Sequence, residues 1–517
     1  MPPINRRHFL QFAGSALASV GLSHLDLFHQ GKPFGSGEAG RVGQVLAQGT
    51  SRKLALLVGV NNYPGTIPKL RGCLTDVELQ RELLIHRYGF NPKDIVIVSD
   101  NESLKPNRET ILEAFETHLI QQAKPGDMVV FHFSGHGSLI RDPNPLPELI
   151  VNVNGQKQSV PNRDRLNGTM VPFDRATGNS EQVQDIMGRT LFLLTGALQT
   201  DNVTVVLDCC HSGGGTRGNL LFRAIPSRLG GNDANPTGAE LEYQKRWMKK
   251  LNLSEQEFSD LRLQGIAKGV AIGSANYNQL AADAPFDGGM FHAGAFTYLL
   301  TRYLWQQSKE EGIGTVFVNL ARATRDVSNS SGVAQEPILA ANPENNQKQP
   351  TYFLQPSTPF AEAVVREVRP DGTIVYWLGG ISSRSLEANR KGTLFSVLND
   401  RGEEVALIEQ ESRTNLVGVG KLKSGAATTV QPGTLLRERV RGLPTNFKLR
   451  VGLDPSLGKD RDAIQAASRT LDRVEVVASD QAMNYRLGRM TNNYQTLARS
   501  QSGVVPPVVV WACLRQD

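Results

Sequence analysis

The stretch Gly126-Asp-Met-Val-Val-Phe-His-Phe-Ser-Gly-His136-Gly137 runs from a turn through a nearly unbroken apolar segment into a histidine flanked by glycines. Such continuity over Met128 to Phe133 describes a strand buried on both faces, the mark of a parallel sheet covered by helices. Four further runs share this character: Leu54-Ala-Leu-Leu-Val-Gly-Val60, Ile95-Val-Ile-Val98, Val203-Thr-Val-Val-Leu207 and Gly269-Val-Ala-Ile-Gly273. Between them, Asp76 to Tyr88 carries Val77, Leu79, Leu83 and Leu84 and stops at Gly89. Glu109 to Gln122 sets Ile111, Phe115 and Leu119 on one helical face. Ala293 to Gln307 and Val316 to Val327 add two helical patterns after the last run. The alternation predicts an α/β domain with a mostly parallel, helix-flanked sheet over residues 50–355.

Within that domain, Gly213 to Lys268 interrupts the alternation with a Gly/Arg/Asn-rich segment and then a charged helix-like piece, Ala239 to Leu263, and reads as a surface insertion. Beyond residue 360, short strand-like runs separated by turns, such as Pro370-Asp-Gly372 and Asn399-Asp-Arg-Gly402, predict a small β-rich barrel or sandwich over 360–443. The segment 446–517 alternates strand-like and helix-like patterns and reads as a small C-terminal α/β unit.

Composition narrows the function. The 517 residues hold 39% hydrophobic and 21% charged residues with a formal net charge of +6. That charge is too dilute to imply nucleic acid, and no apolar run approaches the roughly 18 residues of a membrane helix. Four cysteines, two of them adjacent, cannot form a disulfide framework for so long a chain. At the N-terminus, Arg6-Arg7 precedes the moderately apolar Phe9 to Leu22, with Val45-Leu46-Ala47 offering small residues for cleavage. Residues 1–47 resemble a bacterial twin-arginine export signal and spacer, which implies a periplasmic destination. The alternative is a cytoplasmic protein with a chance Arg-Arg in a tail.

Two loops follow buried strands at the carboxyl side of the sheet, where parallel α/β folds assemble their sites: Phe133-Ser-Gly-His136-Gly137 and Leu207-Asp208-Cys209-Cys210-His211-Ser212-Gly213. A cysteine peptidase needs a thiolate, a histidine in reach of it and backbone N–H groups for the developing oxyanion. Strand alternation puts Asp208 and Cys210 on one side and Cys209 on the other, so Cys210 is the candidate nucleophile and Cys209 a core residue. His211 points away along an extended chain, which leaves His136 as the base. The glycines flanking His136 and following Cys210 allow close approach of a substrate backbone and unusual φ values. Cys73 and Cys513 read as packing residues. A metal site from Cys209, Cys210, His211 and His136 is disfavoured, because adjacent cysteines lack the spacing that turns two sulfurs to one ion.

Taken together, Phe133-Ser-Gly-His136-Gly137, Asp208-Cys-Cys210-His-Ser-Gly213, Leu70-Arg-Gly-Cys-Leu-Thr-Asp76 and Val270-Ala-Ile-Gly-Ser274 through Gly294-Ala-Phe-Thr297 resemble the caspase-like cysteine peptidases, and within them the metacaspases and prokaryotic orthocaspases. The likeness spans about residues 53–355 and implies a caspase-like fold. It implies Cys210 as nucleophile, His136 as base, and the N–H groups of Gly137 and Cys210 as oxyanion donors. Asp76 and Asp208 match the two aspartates of the specificity pocket, so protein or peptide substrates with Arg or Lys before the cleaved bond are expected. Locally, Asp76 is equally explained as a charge at a helix N-terminus. No cofactor is expected; the family often binds calcium in an acidic loop, but Ser138 to Asp174 holds only scattered acids. Self-cleavage after a basic residue in the insertion would use Arg217, Arg223, Arg228, Lys245 or Arg246. Asp283 and Asp287 are candidates for the pocket rim, with ordinary turn residues as the favoured reading. The competing function is a catalytically silent caspase-like interaction module.

Overall fold

The computed structural model describes residues 51–489 and 511–515, except 154–155, 176–180, 210–215, 218–219, 224–233, 277–278, 309, 330–333, 441–447, 472–473 and 479–484. The expected export signal therefore lies outside the described residues, and so does Cys210.

The central sheet has six strands: β1 (Lys53–Gly59), β2 (Ile95–Ser99), β3 (Met128–Ser134), β4 (Val203–Asp208), β6 (Gly269–Gly273) and β9 (Ile338–Asn342), with β5, β7 and β8 introduced below. They lie in the order β9-β6-β4-β3-β1-β2. Every neighbouring pair is parallel except β6 with β9. The edge strand β9 was not foreseen; all five of its residues are only half-buried, so it lacks the apolar continuity that marks the others.

Alternate residues of the central strands feed two cores. Ala55, Leu57, Val130 and Val206 face one, together with α1 (Cys73–Tyr88) and α2 (Ala295–Gln306). Leu54, Leu56, Val58, Val129, Phe131 and Val205 face the other, with Phe115, Leu193, Trp247 and Phe258 from the opposite helical layer. The helix α1 stops at Gly89, which takes the left-handed φ of 67° that an Ala would resist. The charged stretch of the insertion is two helices, Gly238–Lys250 and Glu255–Leu263. The second opens with a capping box in which Ser254 and Glu257 satisfy each other's backbone N–H groups.

The β-rich region is a closed six-stranded barrel of Ala363–Val368, Thr373–Trp377, Leu394–Leu398, Glu404–Thr414, Val417–Ser424 and Leu435–Val440. It shares one continuous core with the α1/α2 layer: Val364, Tyr376, Trp377 and Phe395 belong to the same cluster as Leu83 and Trp305. Polar ties reinforce this packing. Arg366 pairs with Glu78 at 2.7 Å and Glu82 at 3.2 Å, and the buried Arg87 donates to the carbonyls of Gln307 (2.6 Å) and Pro359 (2.8 Å). The chain divides after residue 442, and the region beyond is a separate compact unit. There, Leu449–Leu453, Val474–Val477, Tyr485–Arg489 and Trp511–Arg515 form a mixed sheet, with Leu453, Leu457, Ile464 and Leu487 as its core.

One core residue is costly. His132 on β3 is fully buried, and neither ring nitrogen has a hydrogen-bond partner among the described residues. Burial lowers its pKa from 6.5 to about 4, so the imidazole is folded in neutral form. Its cost is smallest above pH 6.5 and grows as the pH falls from there toward 4, where the unfolded chain takes up a proton that the folded chain does not. His132→Leu removes the desolvated nitrogens and is expected to raise stability by ~1–3 kcal/mol at neutral pH. It should also flatten the acid decline, as measured by denaturant unfolding across that range.

Candidate active site

Two adjacent parallel strands end level with one another. Asp208, the last residue of β4, pairs in register with Ser134, the last of β3. His136 follows Ser134 by two residues as Cys210 follows Asp208 by two. Cys209 is buried in the core beneath the sheet's second helical layer, as its alternation requires.

His136 is fully buried and tightly held. Its backbone N–H donates to the Tyr63 hydroxyl at 2.8 Å, and that hydroxyl donates to the Val171 carbonyl at 3.0 Å. The Tyr63 ring lies 4.6 Å from the imidazole, centroid to centroid. The Nε2 atom is 2.7 Å from the Pro68 carbonyl. A carbonyl only accepts, so Nε2 carries the hydrogen and the neutral ring presents a lone pair at Nδ1. That Nδ1 is buried with no partner among the described residues. Burial lowers the His136 pKa to about 4, against the pull of the Pro68 carbonyl. The glycine before it serves close approach and not unusual φ: neither Gly135 nor Gly137 has positive φ, and a Cβ on Gly135 would lie 2.7 Å from the Tyr63 hydroxyl.

The acidic pocket is occupied by this chain's own arginine. Arg223 is fully buried, and its Nη2 lies 2.7 Å from Asp76 Oδ2 and 3.0 Å from Asp283 Oδ1. Its Nη1 donates to Ser134 Oγ at 2.7 Å and lies 3.3 Å from Asp208 Oδ2. Burial works against the guanidinium's charge, but Asp208, Asp76 and Asp283 outweigh it and raise its pKa well above the ordinary value. Asp76 is pushed up to about 6 by burial despite the facing guanidinium. Cys73 lies near the same cluster, and burial pushes its thiol well up.

Backbone contacts hold the same arginine. The segment β5 (Leu220–Phe222) pairs antiparallel with β7 (Ala282–Phe286), and the Arg223 N–H donates to the Ala281 carbonyl at 3.1 Å. The Arg223 carbonyl accepts from the N–H of Gly137 at 2.9 Å. The strand β8 (Phe291–Gly294) continues this small sheet. The Gly294 N–H donates to Asp76 at 2.9 Å, and Thr297 donates to Asp208 from Oγ1 at 2.6 Å and from its N–H at 3.2 Å.

Asp76, Asp208, His136 and Gly137 are thus brought together, while Cys210 and its N–H fall outside the described residues. Asp76 is both a first-turn charge of α1 and a pocket wall, so its two local readings do not exclude one another. Asp283 is not a turn residue: it is a fully buried strand residue and the third acid of the pocket. Asp287 does sit in a turn, at φ 55°, where its carboxylate pairs with Arg413 of the barrel at 2.6 Å. Sequence reasoning also missed Gly72 and Gly294. A Cβ on Gly72 would fall 2.2 Å from Asp283 Oδ1, and one on Gly294 2.1 Å from Asp208 Oδ2, so both keep the pocket open. Of the scattered acids after His136, Asp142 pairs with Arg189 at 2.7 Å and with Arg262 at 3.2 Å, and Asp174 accepts from the Arg108 backbone N–H at 2.8 Å. Among the described residues, no cluster of His, Cys, Asp and Glu is arranged to hold a metal ion, and no helix is long and apolar enough to cross a membrane.

Comparison with known proteins converges on the same segment. Residues 53–216 match the family model of the metacaspase peptidase C14 domain. The chain is 31% identical over 193 residues to Metacaspase-8 of Arabidopsis thaliana, covering 36% of this chain and 42% of that protein. It is 32% identical over 169 residues to Metacaspase-1 of Schizosaccharomyces pombe, covering 32% of this chain and 34% of that protein. Metacaspase-1B of Aspergillus fumigatus is 32% identical over 190 residues, with 36% and 41% covered. The chain spans less than half the length of these relatives. Residues 53–216, which hold the strand-end histidine and the pocket acids Asp76 and Asp208, are thus similar to the metacaspase peptidase C14 domain.

Proposed function

We propose that the chain is a cysteine endopeptidase that hydrolyses the bond after a basic residue, with Cys210 as nucleophile and His136 as base. The observation that carries this reading is Arg223, whose side chain fills the pocket of Asp76, Asp208 and Asp283 while its carbonyl takes the Gly137 N–H. This is the pose of a residue whose following bond is to be cut. The side chain is fixed by charge, the strand by backbone pairing, and the carbonyl oxygen lies where negative charge would develop.

The chemistry follows from the tautomer of His136. Its Nδ1 lone pair takes the Cys210 thiol proton, and the Pro68 carbonyl steadies the resulting imidazolium through Nε2–H. The thiolate sulfur adds to the carbonyl carbon, and the electron pair moves to an oxygen held by the Gly137 N–H. The intermediate collapses to a thioester as the leaving amine receives the proton from Nδ1. A water molecule then gives its proton to Nδ1 and adds to the thioester carbon. Collapse of that second intermediate frees the new carboxyl group, and the thiol regains its proton. No group outside the chain, its substrate and water enters this sequence.

On this reading Arg223 is the chain's own first substrate residue. Of the five basic residues offered by the insertion, it is the one with these contacts among the described residues, and Arg223–Ala224 is the bond it presents. We further propose export through the Arg6-Arg7 signal, on the strength of its sequence pattern.

The wild-type protein is expected to hydrolyse a fluorogenic peptide ending in Arg and to yield fragments cut after residue 223, identified by mass spectrometry. Cys210→Ala should abolish both, and Arg223→Gln should abolish the cut at that position. Equal hydrolysis by wild type and Cys210→Ala would refute the assignment and leave the silent-module reading. Tyr63→Phe strips a partner from the His136 N–H and the Val171 carbonyl, at about 1–3 kcal/mol for groups so buried. It should lower kcat roughly tenfold at constant KM if that loss falls on the placement of His136. Replacing Arg6 and Arg7 by Lys should retain a tagged protein in the cytoplasm, read by fractionation; an unchanged distribution would retire the export proposal.

A further inference from the structure

We propose that Asp283 is a specificity-determining residue that makes the pocket select arginine over lysine. The inference rests on the basic-residue reading above and adds to it a residue and a choice between the two cations.

Nη1 of Arg223 is satisfied by Ser134 Oγ at 2.7 Å, the Asp208 carbonyl at 3.2 Å and Asp208 Oδ2 at 3.3 Å. Nη2 is held by Asp76 Oδ2 at 2.7 Å and Asp283 Oδ1 at 3.0 Å. The planar fork therefore bridges three acids and one hydroxyl from four separate places in the chain. Asp283 has an anchor apart from the guest: its Oδ2 accepts from the Arg71 N–H at 2.7 Å, which turns Oδ1 toward the guest. Gly72 supplies the room, since a Cβ there would collide with that oxygen. Asp283 also lies opposite Leu221 on the strand that carries the arginine, so its position is referenced to the substrate backbone.

A lysine ammonium places its donors on one nitrogen at the end of a flexible stem, and it cannot occupy both ends of this fork. Seated against Asp76, Ser134 and Asp208, it leaves Asp283 Oδ1 buried without its cation. A site built around a donor rejects the analogue that lacks it, because the site's own polar group is then stranded. Asp76 and Asp208 by themselves attract either cation; the third carboxylate is what makes a lysine costly.

The test compares two fluorogenic peptides that differ only in ending with Arg or Lys, and reads the ratio of their kcat/KM values. The ratio is taken within one preparation, so it is independent of how much of the enzyme is active. Wild type should favour Arg by at least about tenfold, from one charged hydrogen bond lost. D283N keeps an acceptor for the Arg71 N–H but loses the charge, and its ratio should fall about tenfold, with D283E restoring part of it. An unchanged ratio in D283N, or a wild-type ratio near one, overturns the proposal while leaving the peptidase reading intact. Wild type cleaving neither peptide sinks both. A second measurement needs no turnover: in a C210A background, R223K should lower the thermal midpoint, and by less when D283N is also present. Equal losses in the two backgrounds would overturn the inference.

Discussion

A single buried cation holds the site together. Arg223 is fully enclosed with three carboxylates, from the first turn of α1, the end of β4 and the start of β7. Taking charges out of water is expensive, and their attraction repays this only where each is paired and the remaining hydrogen-bond capacity is used. Here most of that capacity is used: Ser134, Gly294, Thr297 and the Arg71 N–H all donate to the acids, while Asp208 Oδ1 and Arg223 Nε are buried without a hydrogen-bond partner among the described residues. The cluster is therefore a knot tying the insertion to the helix α1, the central sheet and the small β7/β8 sheet. It is also unsymmetrical. The acids outnumber the cation, and burial already drives Asp76 up to about 6 with the arginine in place. A pocket so charged favours a cation inside it.

The fold makes this arrangement by the simplest property of a parallel sheet, that neighbouring strands end at the same edge. Because Ser134 and Asp208 are in register, the residues beyond them start from one line, and what each loop does next is decided locally. After Ser134, Gly135 passes close under Tyr63, and the Tyr63 hydroxyl catches the His136 N–H while the Pro68 carbonyl fixes the ring. The histidine is thus placed by the segment between β1 and α1, which is itself anchored where the Cys73 N–H donates to Asn61 and the Leu70 N–H to the Asn61 carbonyl. Rigid elements set the positions, and side chains one shell out set the orientations.

Much of this was legible before any coordinates. The five parallel strands announce themselves because burial demands unbroken apolarity, and His136 and Asp208 stand at the ends of two of them. What was not legible depends on contacts distant in sequence. Asp283 sits in Ala281-Ala-Asp-Ala-Pro-Phe-Asp-Gly288, whose proline and glycine suggest a turn. Its burial comes from Arg71 and Arg223, 212 and 60 residues away. Five basic residues of the insertion were equivalent on paper, and only the pairing of Leu221 with Asp283 distinguishes Arg223. The barrel's strands were readable from their turns, but not its shared core with α1 and α2, since an apolar face does not name its partner.

That shared core bears on the site. Asp76 lies in the first turn of α1, and the same helix carries Glu78, Glu82 and Arg87, all three tied to the barrel or the segment leading into it. On the other side, Asp287 just beyond β7 pairs with Arg413 of the barrel, only four residues from Asp283. The barrel thus grips both elements that present pocket carboxylates to Arg223 from outside the central sheet. Like charges held close in a buried pocket repel, and the elements bearing them need an external tie if the pocket is to keep its shape when its guest is exchanged. The barrel supplies that tie at two points on opposite walls, which gives a region without site residues of its own a mechanical part in keeping the acids in place.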